Sequence, residues 1–241
     1  MRASSISKVL RSLGDADIAQ HSQRFFKTGK GEYGEGDRFL GIRVPVLRQH
    51  IRQCRDVDAE EVLKLLASEY HEERLFALLL LVDKYQRGAD REKAWIYKHY
   101  LANSQYINNW DLVDSSADKI VGAQLLQRSR KPLYKLARSK SLWERRIAVM
   151  ATLHFIRKHD FNDALAICEM LINDEEDLIH KATGWMLREA GKRDLKAEME
   201  FLDRHCPAMP RTMLRYAIER FPQADRRAYL QGSKPVRKFN K

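Results

Sequence analysis

Cysteine is scarce in this sequence, and long apolar runs are absent. The three cysteines, Cys54, Cys168 and Cys206, are widely spaced and form no CxxC pair, which predicts reduced thiols and a cytoplasmic protein. The longest apolar stretch, Leu75–Val82, is less than half the ~20 residues that a membrane-spanning helix needs. The N-terminal segment also lacks the apolar stretch of a secretory signal. The sequence therefore predicts neither secretion nor a membrane location.

Motifs for metal, acyl-transfer and dinucleotide chemistry are missing as well. The eight histidines do not cluster, and neither HExxH nor G-x-S-x-G occurs, so we expect no metal ion and no serine nucleophile. Gly29, Gly31 and Gly34 do spell G-x-G-x-x-G, but the preceding segment has a helical pattern instead of a strand pattern. We therefore expect no cofactor. Residues 28–41 are interpreted as a Gly-rich loop whose Lys30 and backbone amides could meet a phosphate.

Basic residues, in contrast, are in clear excess. The chain has 44 Lys and Arg against 33 Asp and Glu, which gives a formal net charge of +11. Lys and Arg on one surface release condensed counterions from a phosphate backbone, so this excess favours a nucleic-acid partner. A generally basic surface without any such partner would give the same composition, and the charge alone leaves both interpretations open.

Apolar residues follow helical spacing almost throughout, and no alternating pattern is long enough for a strand. Arg74, Trp110, Arg146 and Ala182 lie 36 residues apart, each near the start of an amphipathic helix. Such a period predicts stacked helical hairpins, and the absence of the tetratricopeptide signature favours HEAT-like repeats. The predicted fold is an all-α, HEAT-like helical-repeat solenoid with a basic concave face. The predicted helices include Val44–Cys54, Ala59–Ala67, Trp110–Leu126, Leu142–Lys158 and Asp177–Ala190.

The domain prediction follows from the extent of this array. We assign residues 1–232 to a single HEAT-like domain and residues 233–241 to a basic, mobile tail. Because the ends of the array look polar, we expect a monomer.

The segment NNWDLVDSS, residues 108–116, combines an aromatic ring with a carboxylate. Trp110 and Asp114 are four residues apart and share one helix face. Arg146 follows one repeat later, and Trp185 lies near the matching position of the next repeat, so a solenoid would align these four residues along one surface. The alternative is that both tryptophans pack in the core, that Asp114 caps a helix or pairs with a cation, and that Arg146 forms a salt bridge between repeats.

With these residues, the chain resembles the DNA alkylation repair glycosylases of the AlkD-like, HEAT-repeat family. The resemblance covers roughly residues 25–221 and rests on GEYGEGDRFLGIRVPVLR, INNWDLVDSSADKIVG, SLWERRIAVMATLHFIRK and LIHKATGWMLREAGKRD. It implies that the family's catalytic Trp and Asp correspond to Trp110 and Asp114, and its catalytic-site Arg to Arg146. A further aromatic residue of the family's DNA-binding cleft corresponds to Trp185, and Arg145 replaces Arg146 if the register shifts by one. We also predict DNA contacts at Arg145, Arg188, Lys30 and Arg43. Phe25, Phe26 and Tyr33 remain alternatives for an N-terminal aromatic contact.

The resemblance implies hydrolysis of the N-glycosidic bond of N3- and N7-alkylated purines in double-stranded DNA, as the first step of base excision repair. Two alternatives remain open. One is a HEAT-like scaffold that binds nucleic acid or an acidic protein without chemistry. The other is a divergent relative that acts on branched DNA or on RNA.

Overall fold

A computed structural model describes residues 1–233 of the chain. Within these residues the structure is helical, and the one β-type pairing is an isolated bridge between Arg38 and Tyr70. The all-α prediction is thereby confirmed for the described part of the chain. The predicted basic tail lies outside the described residues, apart from Ser233. The chain forms two compact units, Met1–Gln124 and Leu125–Lys241, and the prediction of one continuous domain over residues 1–232 stays a prediction.

The first unit is organised around one long, buried helix. Its helices are α1 Ala3–Ser12, α2 Ala16–Phe25, α3 Val44–Ile51, α4 Ala59–Leu66, α5 His71–Arg87, α6 Asp90–Ala102 and α7 Trp110–Ala117. The chain continues from α7 through a π-helical segment, Asp118–Gly122, into the short α8, Ala123–Leu125. Helix α5 packs against α3, α4, α6 and α7, and its apolar residues are buried on nearly every side. A helix that is apolar all round belongs in a core.

The second unit repeats the same construction. Its helices are α9 Lys131–Ala137, α10 Leu142–Ala151, α11 Leu153–Ile156, α12 Asn162–Met170, α13 Asp177–Gly191, α14 Leu195–His205, α15 Arg211–Ala217 and α16 Gln223–Leu230. Helix α13 packs against α10, α12, α14 and α15. At Gly184 the approach of α15 is so close that a Cβ would lie 2.4 Å from the Met213 carbonyl oxygen.

The predicted period corresponds to helix pairs. Arg74, Trp110, Arg146 and Ala182 lie in α5, α7, α10 and α13, each the second helix after a partner. Within the units these second helices contact one another, α5 with α7 and α10 with α13. The repeat therefore reflects successive helical hairpins, whose HEAT-like character stays a prediction.

Most predicted helix starts are confirmed, and two of these helices begin after a capping side chain. Asn109 accepts a hydrogen bond from the backbone of Trp110, and Ser141 accepts one from Glu144, as expected of N-cap side chains. The prediction missed α1 and α16. It also joined α10 to α11, which are separate helices that meet at Thr152. The hydroxyl of Thr152 donates to the Val149 carbonyl, a local bond that competes with the regular helix.

None of the described helices is long and apolar enough to cross a membrane. Within residues 1–233, no three His, Cys, Asp or Glu side chains are arranged to hold a metal ion.

Candidate active site

Helix α7 presents the predicted Trp–Asp pair. Trp110 is its first residue, Asp114 lies one turn later, and both side chains are partly exposed. The rear of the helix is fixed by hydroxyls: Ser116 donates to the Leu112 carbonyl at 2.6 Å and contacts the Tyr100 hydroxyl at 2.9 Å. Because one side of α7 is anchored in this way, the Trp110–Asp114 side has a defined orientation.

An aromatic cluster lies against Trp110. The ring of Phe26 stacks on Trp110 with centroids 5.2 Å apart, and Phe25 meets Trp110 edge-on at 5.9 Å. Phe26 also stacks on Phe39 at 5.0 Å and touches the imidazole of His71 at 4.9 Å. Phe25 is 56% exposed. Of the three N-terminal aromatic candidates, Phe25 and Phe26 thus contact Trp110 directly, and Phe25 extends the aromatic surface towards solvent.

Beneath the aromatic cluster is a buried network of ionisable groups. His71 Nδ1 lies 2.9 Å from Asp37 Oδ2, and His71 Nε2 lies 2.8 Å from Asp111 Oδ2. Arg74 donates to Asp37 Oδ1 at 2.6 Å, and the Asn109 amide approaches the other oxygen of Asp37 at 3.4 Å. The side chains of Asp37 and His71 are 1% and 2% exposed. The network joins the loop that carries Asp37 to the first turns of α5 and α7.

Burial opposes ionisation throughout this network, but the opposite charges outweigh it. Burial on its own would lower the pKa of His71, yet the neighbouring carboxylates of Asp111 and Asp37 raise it to about 9. For Asp37, burial on its own would raise the pKa, but His71 and Arg74 hold it below its ordinary value. At neutral pH two cations therefore face two carboxylates.

The Gly-rich loop before α3 is held by a second buried carboxylate. Glu72 accepts the backbone N–H groups of Leu40, Gly41 and Ile42 at 2.8, 2.8 and 3.2 Å. Gly41 has φ +82°, and a Cβ there would lie 1.9 Å from the Asp15 carbonyl oxygen. Glycine is required at this position because no side chain fits.

Two predicted DNA contacts lie at the ends of this loop. Lys30 is exposed, and Arg43 is the exposed N-cap residue of α3. The loop amides that could have met a phosphate have internal acceptors, because Gly29 N–H donates to Glu32 and Gly31 N–H donates to Glu35, both at 2.8 Å. The side chain of Lys30 is therefore a better candidate for a phosphate contact than these two amides.

The remaining predicted residues belong to the second unit. Arg146 on α10 is buried and donates to the Leu178 carbonyl. Its neighbour Arg145 binds both oxygens of Asp174, at 2.6 and 3.2 Å. Arg145 also donates to the carbonyls of Ser139 and Lys140. The two arginines thus occupy different environments.

Trp185 and Arg188 lie on α13. The partly exposed indole of Trp185 donates to Glu189 at 3.2 Å, and Glu189 in turn pairs with Lys192 and Arg193. Arg188 forms an ion pair with Glu219. One side of α13 therefore combines an aromatic ring with charged side chains.

The sequence-based search missed the Asp37–His71–Asp111 network. One signal for it was available. The predicted helix starts at Glu72, and His71, Glu72, Glu73 and Arg74 directly precede its apolar residues. Four ionisable residues at the start of a buried helix need partners, but their identity depended on the conformation of the preceding loop.

Comparisons with known proteins agree with the sequence-based resemblance. Residues 6–221 match the model of a family described as DNA alkylation repair enzyme. A comparison with curated proteins finds no match. Among solved structures, a predicted DNA alkylation repair enzyme from Enterococcus faecalis superposes with a TM-score of 0.67 at 18% identity and covers 88% of this chain and 98% of its own. At this identity the likeness concerns the fold, whereas the family match spans nearly the whole sequence. The chain therefore belongs to the DNA alkylation repair enzyme family.

Proposed function

We propose that the protein is a DNA glycosylase that hydrolyses the N-glycosidic bond of N3- and N7-alkylated purines in duplex DNA. The observation that carries the proposal is the partly exposed Trp110–Asp114 pair on α7, whose aromatic ring lies on the stack of Phe26 and Phe39. A solvent-facing tryptophan with a carboxylate one turn away is suited to a cationic sugar or base. The family match supplies the DNA context.

The proposed reaction needs only one carboxylate. Alkylation at N3 or N7 leaves the purine positively charged, so the base departs as a neutral molecule when the C1′–N bond breaks and its electron pair moves to the ring. Water adds its oxygen to C1′ and loses one proton. Asp114 would stabilise the developing positive charge on the sugar and orient or deprotonate this water. An ordinary glycosidase needs a second, acidic carboxyl group, because its leaving oxygen would depart as an alkoxide anion without a proton from that group.

We assign recognition of the positively charged base or sugar to Trp110 and Trp185. The face of an indole ring attracts a cation with about 0.5–2 kcal/mol, and both rings are partly exposed. We propose that they contact the cationic base or the sugar, and that the exposed ring of Phe25 extends the surface of Trp110.

We assign contacts with the DNA backbone to the basic residues. We assign Arg146 to a backbone phosphate, because a guanidinium binds phosphate through charge-assisted, bidentate hydrogen bonds. Lys30, Arg43 and Arg188 are proposed as further phosphate contacts, and Arg145 is the alternative to Arg146. The net charge of +11 supports binding to a polyanion.

A non-catalytic DNA-binding scaffold is the competing proposal. It fits the paired states of Arg145 with Asp174 and Arg188 with Glu219, which are typical of structural ion pairs. It gives no reason for the partial exposure of Trp110.

The proposal is tested by the release of free base from methylated duplex DNA under single-turnover conditions. We expect release by the wild type and a loss of at least 100-fold in Asp114→Asn, with unchanged DNA affinity. Asp90→Asn is the matched control, since Asp90 is an exposed carboxylate in the first turn of α6. Release at the wild-type rate by Asp114→Asn would remove Asp114 from the mechanism. Salt-dependent DNA binding without any release would favour the scaffold.

A further inference from the structure

The buried imidazole of His71 bridges two segments of the first unit. On one side it meets Asp37, in the loop before α3, and on the other side it meets Asp111, in the first turn of α7. An ionised carboxylate accepts hydrogen bonds but cannot donate one. Both ring nitrogens of His71 must therefore carry a proton to satisfy both partners, which makes the ring an imidazolium by geometry alone.

This bridge is connected to Trp110 by two routes. Along the chain, Asp111 directly follows Trp110 and accepts from the backbone N–H of Leu112 at 2.9 Å. Through space, the ring of Phe26 contacts both His71 and Trp110. The position of the indole thus depends on where the imidazolium holds the first turn of α7 and on the ring that contacts both residues.

We propose that His71 is a positioning residue of this enzyme, and that its imidazolium, by joining Asp37 to Asp111, holds Trp110 in the orientation used for base release. The inference deepens the proposed glycosylase function and rests on it. His71 is buried and acts only through Asp111 and Phe26.

The charges around His71 explain what loss of its proton would do. Asp37 faces it from the loop, Asp111 faces it from α7, and Arg74 of its own helix contacts Asp37. With His71 protonated, two cations balance two carboxylates. After deprotonation, one cation faces two carboxylates, and the ring retains a single N–H to donate. One side of the bridge is then broken.

Arg74 distinguishes the two sides of the bridge. Asp37 keeps its bond to Arg74 at 2.6 Å whether or not His71 is charged. The neutral ring has one N–H, so either the contact with Asp111 or the contact with Asp37 loses its hydrogen bond, and in both cases the ring no longer joins the loop to α7. Because the pKa of His71 is raised to about 9, we expect this change at alkaline pH.

The experiment follows His71, Trp110 and base release in one titration between about pH 6.5 and 10. NMR of ¹³C-histidine and ¹⁵N-tryptophan reports on both side chains. The His71 signal is assigned by its loss in His71→Gln, and the Trp110 indole N–H by its loss in Trp110→Phe. Single-turnover release of base is measured over the same pH range. The variant is Asp111→Asn, and the matched control is again Asp90→Asn, which removes a first-turn carboxylate from a different helix.

We expect one common midpoint for the His71 ring, the Trp110 indole and the decline in base release in the wild type. Asp111→Asn should lower all three midpoints together by about one pH unit or more, and Asp90→Asn should leave them unchanged. If His71 had a merely structural role, Asp111→Asn would lower the stability of the protein without moving the pH midpoint of base release.

Two results would overturn the proposal. One is a Trp110 indole resonance that stays fixed while His71 titrates. The other is a rate midpoint that stays in place in Asp111→Asn although the His71 midpoint moves. If the wild type releases no base at all, the glycosylase function fails, while the paired NMR signals still decide whether His71 positions Trp110. Should Asp111→Asn fail to fold, the wild-type titration alone still decides: a common midpoint for His71, Trp110 and the rate supports the proposal, and a Trp110 resonance that stays fixed while His71 titrates overturns it.

Discussion

His71 Nε2 lies 2.8 Å from Asp111 Oδ2, and this one contact joins the first residue of the buried helix α5 to the first turn of α7. The partly exposed Trp110, which directly precedes Asp111, is therefore adjacent to a buried ion pair. Breaking a buried pair by removing one partner commonly costs about 3–5 kcal/mol, because the other charge is left uncompensated.

The free energy of unfolding should fall at alkaline pH because of His71. Its folded-state pKa, raised to about 9, exceeds the ordinary value near 6.5. The stabilisation is thus fully present below pH ~6.5 and is lost as pH rises through about 9, on the order of 3 kcal/mol in all. Urea unfolding at a series of pH values measures it. In His71→Gln this alkaline decline should disappear, and an undiminished decline would assign it to other groups.

Gly41 should be intolerant of any side chain, and Gly36 provides the matched control. Both have a positive φ, of +82° and +80°, but a Cβ at position 41 would overlap the Asp15 carbonyl, whereas nothing lies within 4 Å of one at position 36. We expect Gly36→Ala to cost about 1–2 kcal/mol through backbone strain alone and Gly41→Ala to cost more than 4 kcal/mol. Equal losses in urea unfolding would mean that the loop can move away from α2.

Substitutions of Phe25 and Phe26 should affect different properties, base release for Phe25 and stability for Phe26. Phe26 contacts Phe39, His71 and Trp110, so Phe26→Ala should destabilise the protein by about 2–4 kcal/mol. Phe25 is 56% exposed, and Phe25→Ala should change stability by less than about 1 kcal/mol while it slows base release. Thermal unfolding and single-turnover kinetics measure the two effects. A wild-type rate for Phe25→Ala would exclude it from the DNA contact.

Arg146 and Arg145 should differ in the salt dependence of DNA binding. Loss of one phosphate contact reduces the slope of log K against log salt by about one, and we expect this for Arg146→Ala. Arg145→Ala should instead lower stability by about 3 kcal/mol, because Asp174 is 6% exposed and would lose its bidentate partner. If only Arg145→Ala reduced the slope, the phosphate contact would belong to Arg145, one position earlier.

Substitution of Trp110 should slow base release more than substitution of Trp95, a second partly exposed tryptophan. Trp95 on α6 stacks against His99 at 4.0 Å and serves as the matched control. We expect Trp110→Ala to reduce the single-turnover rate by at least 10-fold, in line with a lost cation–π contact, and Trp95→Ala to leave the rate unchanged. Equal effects of the two substitutions on rate would point to general destabilisation instead of a contact with the lesion.

The helical architecture and the Trp110–Asp114 pair were predictable from the sequence for a physical reason. Both depend on residues that are close in the chain. A spacing of four residues places two side chains on one helix face, and cap residues such as Asn109 and Ser141 mark where helices begin. The 36-residue period likewise repeats a local unit. The π-helical turn at Asp118–Gly122 escaped prediction, since tertiary packing selects such turns more than local propensity does.

The sequence by itself thus determined the all-α class, the order and approximate bounds of most helices, the family and the position of the candidate pair on one face of α7. Only the tertiary structure decided which loop residue meets His71, that Phe26 contacts both His71 and Trp110, and that Arg145 binds Asp174. These contacts join residues tens of positions apart across irregular segments. Their formation depends on the path of the Gly-rich loop, which positive-φ glycines and close backbone packing define, and no periodic pattern in the sequence records that path.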